Sequence, residues 1–371
     1  MNWQQNLNHE IQLGNFSEAL KIAESALESN PNDINLLTSV ALCQAKLNNF
    51  NESLMLCRSI VGRGTFPVSL VSIYIFVART LGYFDEAIAI GQQVLAQSAV
   101  PEISASLAEF QDRPFFPSLQ GAHAPERQVY MSSVVDKLKG LRRSLNILEI
   151  GSYMGASMIT WARSVERLTE LEANILCLDS WEKGTNTEYQ SFMSKSLSDG
   201  SAFRIFSHAQ KFIGPRVNVI PLREKSCIAL PLLRSNMFDI VYIDGGHLYD
   251  DVKTDIMEAS RLVCDGGYIC GDDLELQSSE IEISHAQNNL SVDFLYDPKS
   301  KERYHPGVTL AVAEKFGSVS AFHGFWICQK IGEKFQNVNL DGRGILPAHW
   351  PQEFQNEAKR IIANDGFLEL I

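Results

Sequence analysis

FDIVYIDGGHLYDDVKTD, residues Phe238–Asp255, reads as a strand that runs straight into acids and a histidine. The run from Phe238 to Ile243 is short and largely apolar, the pattern of a strand covered on both faces. It ends in Asp244, Gly245, Gly246 and His247. Beyond it Val252, Ile256, Ala259 and Val263 recur at helical spacing. On that spacing Asp250 and Asp251 fall at a helix N-terminus, where the macrodipole favours acids. Asp255 is expected on the exposed face of the same helix.

Working outward, similar apolar runs stand at NILEI (146–150), NILCLD (174–179), VNVI (217–220), GYICG (267–271) and GFWICQK (324–330). Helical stretches separate them. The fold class this predicts is α/β, a parallel sheet with helices on both faces. Ligands of such sheets bind at the carboxyl ends of the strands, where the strand order reverses. Three strand ends carry chemistry. EIGSYMGAS, Glu149–Ser157, sets an acid before a glycine turn of spacing E-x-G-x-x-x-G, with Gly151, Ser152 and Gly155 at the turn. That is not the G-x-G-x-x-G of a dinucleotide site. The second strand ends in Asp179, an acid able to take ribose hydroxyls on both oxygens. The run GYICG leads into Asp272 and Asp273, so three carboxylates with Asp244 converge and call for a hard divalent cation. Trp181 is read either as packing on a ligand or as core.

The front of the chain differs. GNFSEAL starts at Gly14, NNFNESL at Asn48 and GYFDEAI at Gly82, a period of 34 residues. That period with helical patterning marks a tetratricopeptide-type array of helix-turn-helix units over about residues 1–110. Gly14 and Gly82 are expected where helices cross closely, with Phe16, Phe50 and Phe84 filling the interface. QDRPFFPSLQGAHAPE follows, and the domain plan is repeats 1–110, a linker 111–125, the α/β domain 126–330 and a C-terminal helical extension 331–371. Phe115 and Phe116 in the linker are read as docking residues.

The chain has 371 residues and a formal net charge of −12, which disfavours nucleic-acid partners. Seven scattered cysteines without a C-x-x-C pair read as reduced thiols of a cytoplasmic protein. The longest apolar run, Val68–Ala78, is too short to cross a bilayer, and the polar N-terminus is no signal peptide.

With these residues in hand, about 126–330 resembles the class I S-adenosylmethionine-dependent methyltransferases. The resemblance implies that Glu149, Gly151, Ser152, Gly155, Asp179, Ser226 and Asp244 bind the cofactor, with Asp179 on its ribose and Ser226 near its adenine. The I-D-G-x-H-x-Y form further resembles the metal-dependent O-methyltransferases of the macrocin type, which act on sugars of natural products. This implies Mg²⁺ or another divalent cation on Asp244, Asp272 and Asp273, and a hydroxyl acceptor on a small molecule or sugar. The catalytic candidates are His247, as general base, and Asp244. Some relatives place a second Asp two residues after the metal Asp, where this chain has Gly246. His305 is a candidate substrate contact, and Gln277–Ser300 reads as an insertion or lid. The repeats are expected to bind a protein partner or to make a homo-oligomer. The alternative is a repeat scaffold joined to an inactive cofactor binder.

Overall fold

The computed structural model describes residues 3–111, 125–182, 191–347, 352–366 and 368–371. The chain divides into two compact units, Met1–Pro114 and Phe115–Ile371. Most of the expected linker, with Phe115 and Phe116, lies outside the described residues.

The first unit is helical. Its helices pair as Trp3–Gln12 with Phe16–Ser29, Ile34–Lys46 with Phe50–Val61, and Val68–Leu81 with Phe84–Leu95, followed by Pro101–Gln111. The second helix of each pair therefore begins at Phe16, Phe50 and Phe84, in step with the 34-residue period. Phe50 and Phe84 are buried, and Leu7, Ala19, Ala23, Leu36, Val40 and Cys43 form one apolar cluster. The glycines play a different part from the one expected. Gly14 and Gly82 stand in the turns with φ of +76° and +86°, and the side chain nearest to an added Cβ at Gly14 is 4.0 Å away. What the turns need is a left-handed residue, which glycine supplies without steric cost. Asn48 fills that place in the middle pair with φ of +71°, and asparagine tolerates this region better than other side chains. Between pairs, Arg58 donates to both oxygens of Glu86 at 2.8 and 2.6 Å.

The second unit is built on one sheet. Its strands are β1 (Ser144–Ile150), β2 (Glu172–Asp179), β3 (Val217–Arg223), β4 (Phe238–Ile243) and β5 (Val263–Leu274). A small hairpin, β6 (Leu295–Tyr296) with β7 (Arg303–Tyr304), precedes β8 (Ser320–Phe322), β9 (Gly324–Ile331) and β10 (Lys334–Asn337). Last come β11 (Gly342–Gly344) and β12 (Leu368–Leu370), which pair with each other. The main sheet runs β3-β2-β1-β4-β5-β9-β10, with β8 beside β9. The first five of these are parallel, and β9 and β10 are antiparallel additions. At this edge antiparallel strands extend the parallel sheet: the turns that join β8 to β9 and β9 to β10 are short enough only for antiparallel neighbours. The C-terminal extension is likewise not purely helical. Residues 334–337 pair with β9 across a two-residue turn, and among the described residues Gln352–Asp365 is the helix there.

All six residues of β4 are buried. Ile240, Val241 and Ile243 each contribute about 1.5–3 kcal/mol of apolar burial, which anchors the strand that carries Asp244. The one acid within the strand, Asp239, is covered by Arg142 Nε at 2.6 Å. Strand order reverses between β1 and β4, since β1 continues to β2 on one side and meets β4 on the other. The crevice at this reversal is where the strand ends meet.

Candidate active site

The cofactor-side end of the crevice is made by β1 and β2. Gly151 follows β1 with φ of +89°, and a Cβ there would lie 1.9 Å from the carbonyl oxygen of Asp244. Only glycine lets the β1 turn lie this close to the β4 turn. Gly155 caps the helix Ala156–Leu168, whose N-terminus therefore faces the crevice. Glu149 is fully buried, and among the described residues no donor completes a hydrogen bond to either of its oxygens. Burial pushes its carboxyl up to about 8, against the lowering influence of the Ser152 and Ser157 hydroxyls. A buried acceptor without a donor is costly unless a ligand supplies one. The residues therefore fit a cofactor with a cationic end, such as the amino group of S-adenosylmethionine. Asp179 accepts from the amides of Ser152 (3.0 Å) and Tyr153 (2.9 Å) on one oxygen and of Trp181 (2.6 Å) on the other. It thus clamps the glycine turn to the end of β2. Trp181 is core: its ring packs on Phe203 and Phe206 at 4.8 and 4.9 Å, and its N–H donates to Tyr153 O.

Ser226 begins the short helix after β3 and faces Asp255. Here the structure corrects the sequence reading. Asp255 is 2% exposed, not on the open face of its helix, and burial raises its carboxyl to about 7. It stands at i+3 from Val252 and i−4 from Ala259, inside the stripe that packs on the sheet.

At the other end, β4 and β5 deliver the acids. One extra residue in β5 between Gly271 and Leu274 makes a bulge opposite β9, and Asp273 there has φ of +65°. Successive strand residues would point to opposite faces, but the bulge turns Asp272 and Asp273 toward one partner. That partner is Arg127, from the helix Pro125–Leu138, whose Nη1 lies 2.7 Å from Asp272 Oδ1 and 3.2 Å from Asp273 Oδ1. Its Nη2 reaches Glu275 at 3.3 Å. Asp244 Oδ2 and Asp272 Oδ2 lie 3.3 and 3.5 Å from the Tyr242 hydroxyl. Burial, then the charges of Asp272 and Asp273, hold Asp244 well above the usual carboxylate range.

The histidines complete this end. His247 Nε2 lies 3.1 Å from Asp273 Oδ2, and its Nδ1 lies 2.8 Å from Asp293 Oδ1. His305 stands beside it, ring centroids 4.5 Å apart, with Nδ1 at 3.0 Å from Glu275 Oε2. A Cβ on Gly307 would lie 2.2 Å from the carbonyl oxygen of His247, so this glycine lets the helix that follows His305 start against the loop. Burial alone would raise Asp273, but His247, His305 and Arg127 outweigh it and hold the carboxylate well below its usual range.

The three aspartates expected to hold Mg²⁺ are thus divided. Asp272 and Asp273 each give an oxygen to Arg127, and the second oxygen of Asp273 turns to His247. Among the described residues, the group of three whose ligand atoms all lie within 4.8 Å of one another is His247, Asp273 and His305. As arranged, the residues do not fit an all-aspartate Mg²⁺ centre. Four residues here carry no role in the sequence reading: Arg127, Tyr242, Glu275 and Asp293. Glu275 sits two positions beyond Asp273, the same-face spacing of a strand, and Asp293 interrupts the apolar Val292 and Phe294. Those were usable signals. Arg127 had none beyond the charge balance of a crevice this acidic.

Residues 148–274 match a family model described as a methyltransferase domain. No curated protein matches the chain by sequence. Among solved structures, cofactor-bound Rv0187 from MTB is 19% identical, with 62% of this chain and 97% of that chain covered and a TM-score of 0.30. CalS11, a TDP-rhamnose 3'-O-methyltransferase of calicheamicin biosynthesis, is 16% identical over 67% and 95%, with a TM-score of 0.32. The O-methyltransferase TomG from Streptomyces achromogenes, in complex with SAM, is 16% identical over 66% and 96%, with a TM-score of 0.33. At such identities and scores the reading rests on the strand order, the glycine turn and the family match. Residues 148–274 form a class I, S-adenosylmethionine-dependent methyltransferase domain.

Proposed function

We propose that the second unit methylates a hydroxyl group of a small molecule or sugar, with assistance from a divalent cation. The observation that carries this reading is the pairing, across β1 and β4, of a cofactor turn with a crevice end rich in carboxylates and imidazoles. S-Adenosylmethionine, when bound, supplies an electrophilic methyl group that an acceptor oxygen takes by in-line displacement. Gly151 lets the β1 turn close against the β4 turn, Glu149 would hold the cofactor's ammonium, and the Ser152–Gly155 turn is fixed by Asp179. A divalent cation, which His247, Asp273 and His305 could hold, would lower the pKa of an acceptor hydroxyl beside it. The proton then has two candidate acceptors, His247 and Asp244. Both ring nitrogens of His247 lie against carboxylates, which favours Asp244, whose Oδ2 faces the Tyr242 hydroxyl. The first unit supports a second role, holding a protein partner on its stacked helix pairs.

Label transfer tests the reading. The full chain is incubated with methyl-labelled S-adenosylmethionine, divalent cations and a panel of nucleotide sugars, glycosylated small molecules, phenols and amines. The expected product is an ether stable to alkali. Label appearing on nitrogen or as a base-labile ester, or no cofactor binding at millimolar concentration, would sink the proposal. Among the described residues no helix is long and apolar enough to cross a membrane, and all seven cysteines are free thiols, which supports a reducing, cytoplasmic setting.

A further inference from the structure

The division of the aspartates raises the question of where a cation sits. We infer that the crevice binds one borderline transition-metal ion through His247, Asp273 and His305, and not Mg²⁺ through three aspartates. This rests on the O-methyltransferase reading only for what the ion does; the site itself stands on its own geometry.

Four observations carry it. The ligand atoms of the three residues lie within 4.8 Å of one another, and His247 Nε2 and Asp273 Oδ2 stand 3.1 Å apart, the spacing of neighbours on one ion. Each imidazole has its Nδ1 against a carboxylate, Asp293 for His247 at 2.8 Å and Glu275 for His305 at 3.0 Å. Metal-bound histidines are oriented in this way, the carboxylate fixing the tautomer and raising the basicity of the ring. His305 is 2% exposed, and its Nε2 has no hydrogen-bond partner among the described residues. Asp293 Oδ1 approaches that nitrogen only to 4.0 Å, beyond hydrogen-bond reach. A buried ring nitrogen left without a partner is rare unless a ligand takes it. Finally, Arg127 holds Asp272 at 2.7 Å and Asp273 only at 3.2 Å, and it leaves Asp273 Oδ2 turned to His247.

The donor set chooses the ion. Two nitrogens and one carboxylate suit Zn²⁺, Co²⁺, Fe²⁺ or Mn²⁺, whereas Mg²⁺ prefers oxygen and retains its waters. The charges permit the ion. Asp272, Asp273 and Glu275 share one guanidinium, Asp244 stands beside Asp272 and Asp273, and Asp293 lies against His247, so a divalent cation relieves repulsion that Arg127 does not cancel. Asp293 belongs to the segment Gln277–Ser300, which the sequence marks only as an insertion or lid. On this inference the segment has a definite role, since it positions His247 for the ion.

The test uses Co²⁺ as the probe on the full chain stripped with a chelator. One equivalent of Co²⁺ should bind with visible d–d absorbance, at least about tenfold more tightly than Mg²⁺ by calorimetry. His305→Gln and His247→Gln should each weaken Co²⁺ by more than tenfold. Asp293→Asn should weaken it by about 10- to 100-fold, the usual cost of losing an orienting carboxylate. Asp272→Asn should change it by less than threefold. Calorimetry with S-adenosylmethionine on the same variants, which should be unchanged, certifies that each is folded. Co²⁺ binding no tighter than Mg²⁺, or Asp272→Asn more damaging than His305→Gln, overturns the inference. Loss of cofactor binding in the unsubstituted chain with Co²⁺ binding intact would instead overturn the methyltransferase reading and leave the metal site standing.

Discussion

The two ends of the crevice are built in different ways. The cofactor end comes from β1, β2 and the turns that leave them, and its interactions are mostly backbone: Asp179 takes three amides, and Gly151 lets two turns touch. The acceptor end draws side chains from five separated places, Arg127, the loop after β4, the β5 bulge, Asp293 and His305. A cofactor that does not vary can be held by a local motif. An acceptor that differs between enzymes is better met by side chains borrowed from loops, which change without disturbing the sheet.

The largest effect should follow from Gly151→Ala, which tests whether the cofactor end depends on backbone contact. The added Cβ would overlap the Asp244 carbonyl and sit at a φ unfavourable for alanine. The two turns would have to part, and cofactor affinity should fall more than about 100-fold, since misplacement of about an ångström is that costly. Circular dichroism should still show the sheet. Affinity within threefold of the parent would mean that the two ends are not tied together at β1 and β4.

Next comes Glu149→Gln, which asks whether this end also relies on charge. Burial holds Glu149 protonated below about 8, so cofactor affinity should rise as pH increases toward that value and level off above it. The sign follows because the ionised carboxylate, favoured at higher pH, is the form that attracts an ammonium. The variant should bind about 10- to 100-fold more weakly at pH 8.5, from a charge-assisted hydrogen bond of about 1.5–3 kcal/mol, and show no such pH dependence. A parent profile as flat as the variant's would remove Glu149 from the site.

The same contrast explains what could be read in advance. The strands, the glycine turn, Asp179 and the strand-end acids were legible because each is local: an apolar run, a spacing, a residue at a strand end. The 34-residue period was legible for the same reason, although it hid why Gly14 and Gly82 are there. The acceptor end was legible only in its parts. Asp272 and Asp273 look alike in sequence, yet a one-residue bulge sends them to different partners, one to Arg127 and Tyr242 and the other also to His247. Nothing in the local sequence marks that bulge. The pairing of Asp293 with His247 spans 46 residues and depends on where the insertion folds back.

Asp255 lies where the two ends meet, beside Gly245 and facing Ser226, and its replacement should have the smallest effect. A Cβ on Gly245 would come within 3.6 Å of its Oδ2, and its Oδ1 has no hydrogen-bond partner among the described residues. The folded chain holds this carboxyl at about 7, whereas in an unfolded chain it titrates near 3.9. The fold therefore binds more protons than the unfolded chain between about pH 4 and pH 7. Stability from this group is greatest below that window, falls as pH rises through it, and stays low above it. Asp255→Asn removes the titration while keeping the shape. At pH 5 the variant and parent should melt within about 1 °C of each other. At pH 8 the variant should be more stable by about 1–2 kcal/mol, less than the full linkage value because local rearrangement and water relieve part of the strain. Melting curves taken across this range decide the matter. Parallel curves from pH 5 to pH 8 would mean that Asp255 is ionised in the fold and has a cationic partner, and the junction between the two ends would then be electrostatic and not apolar.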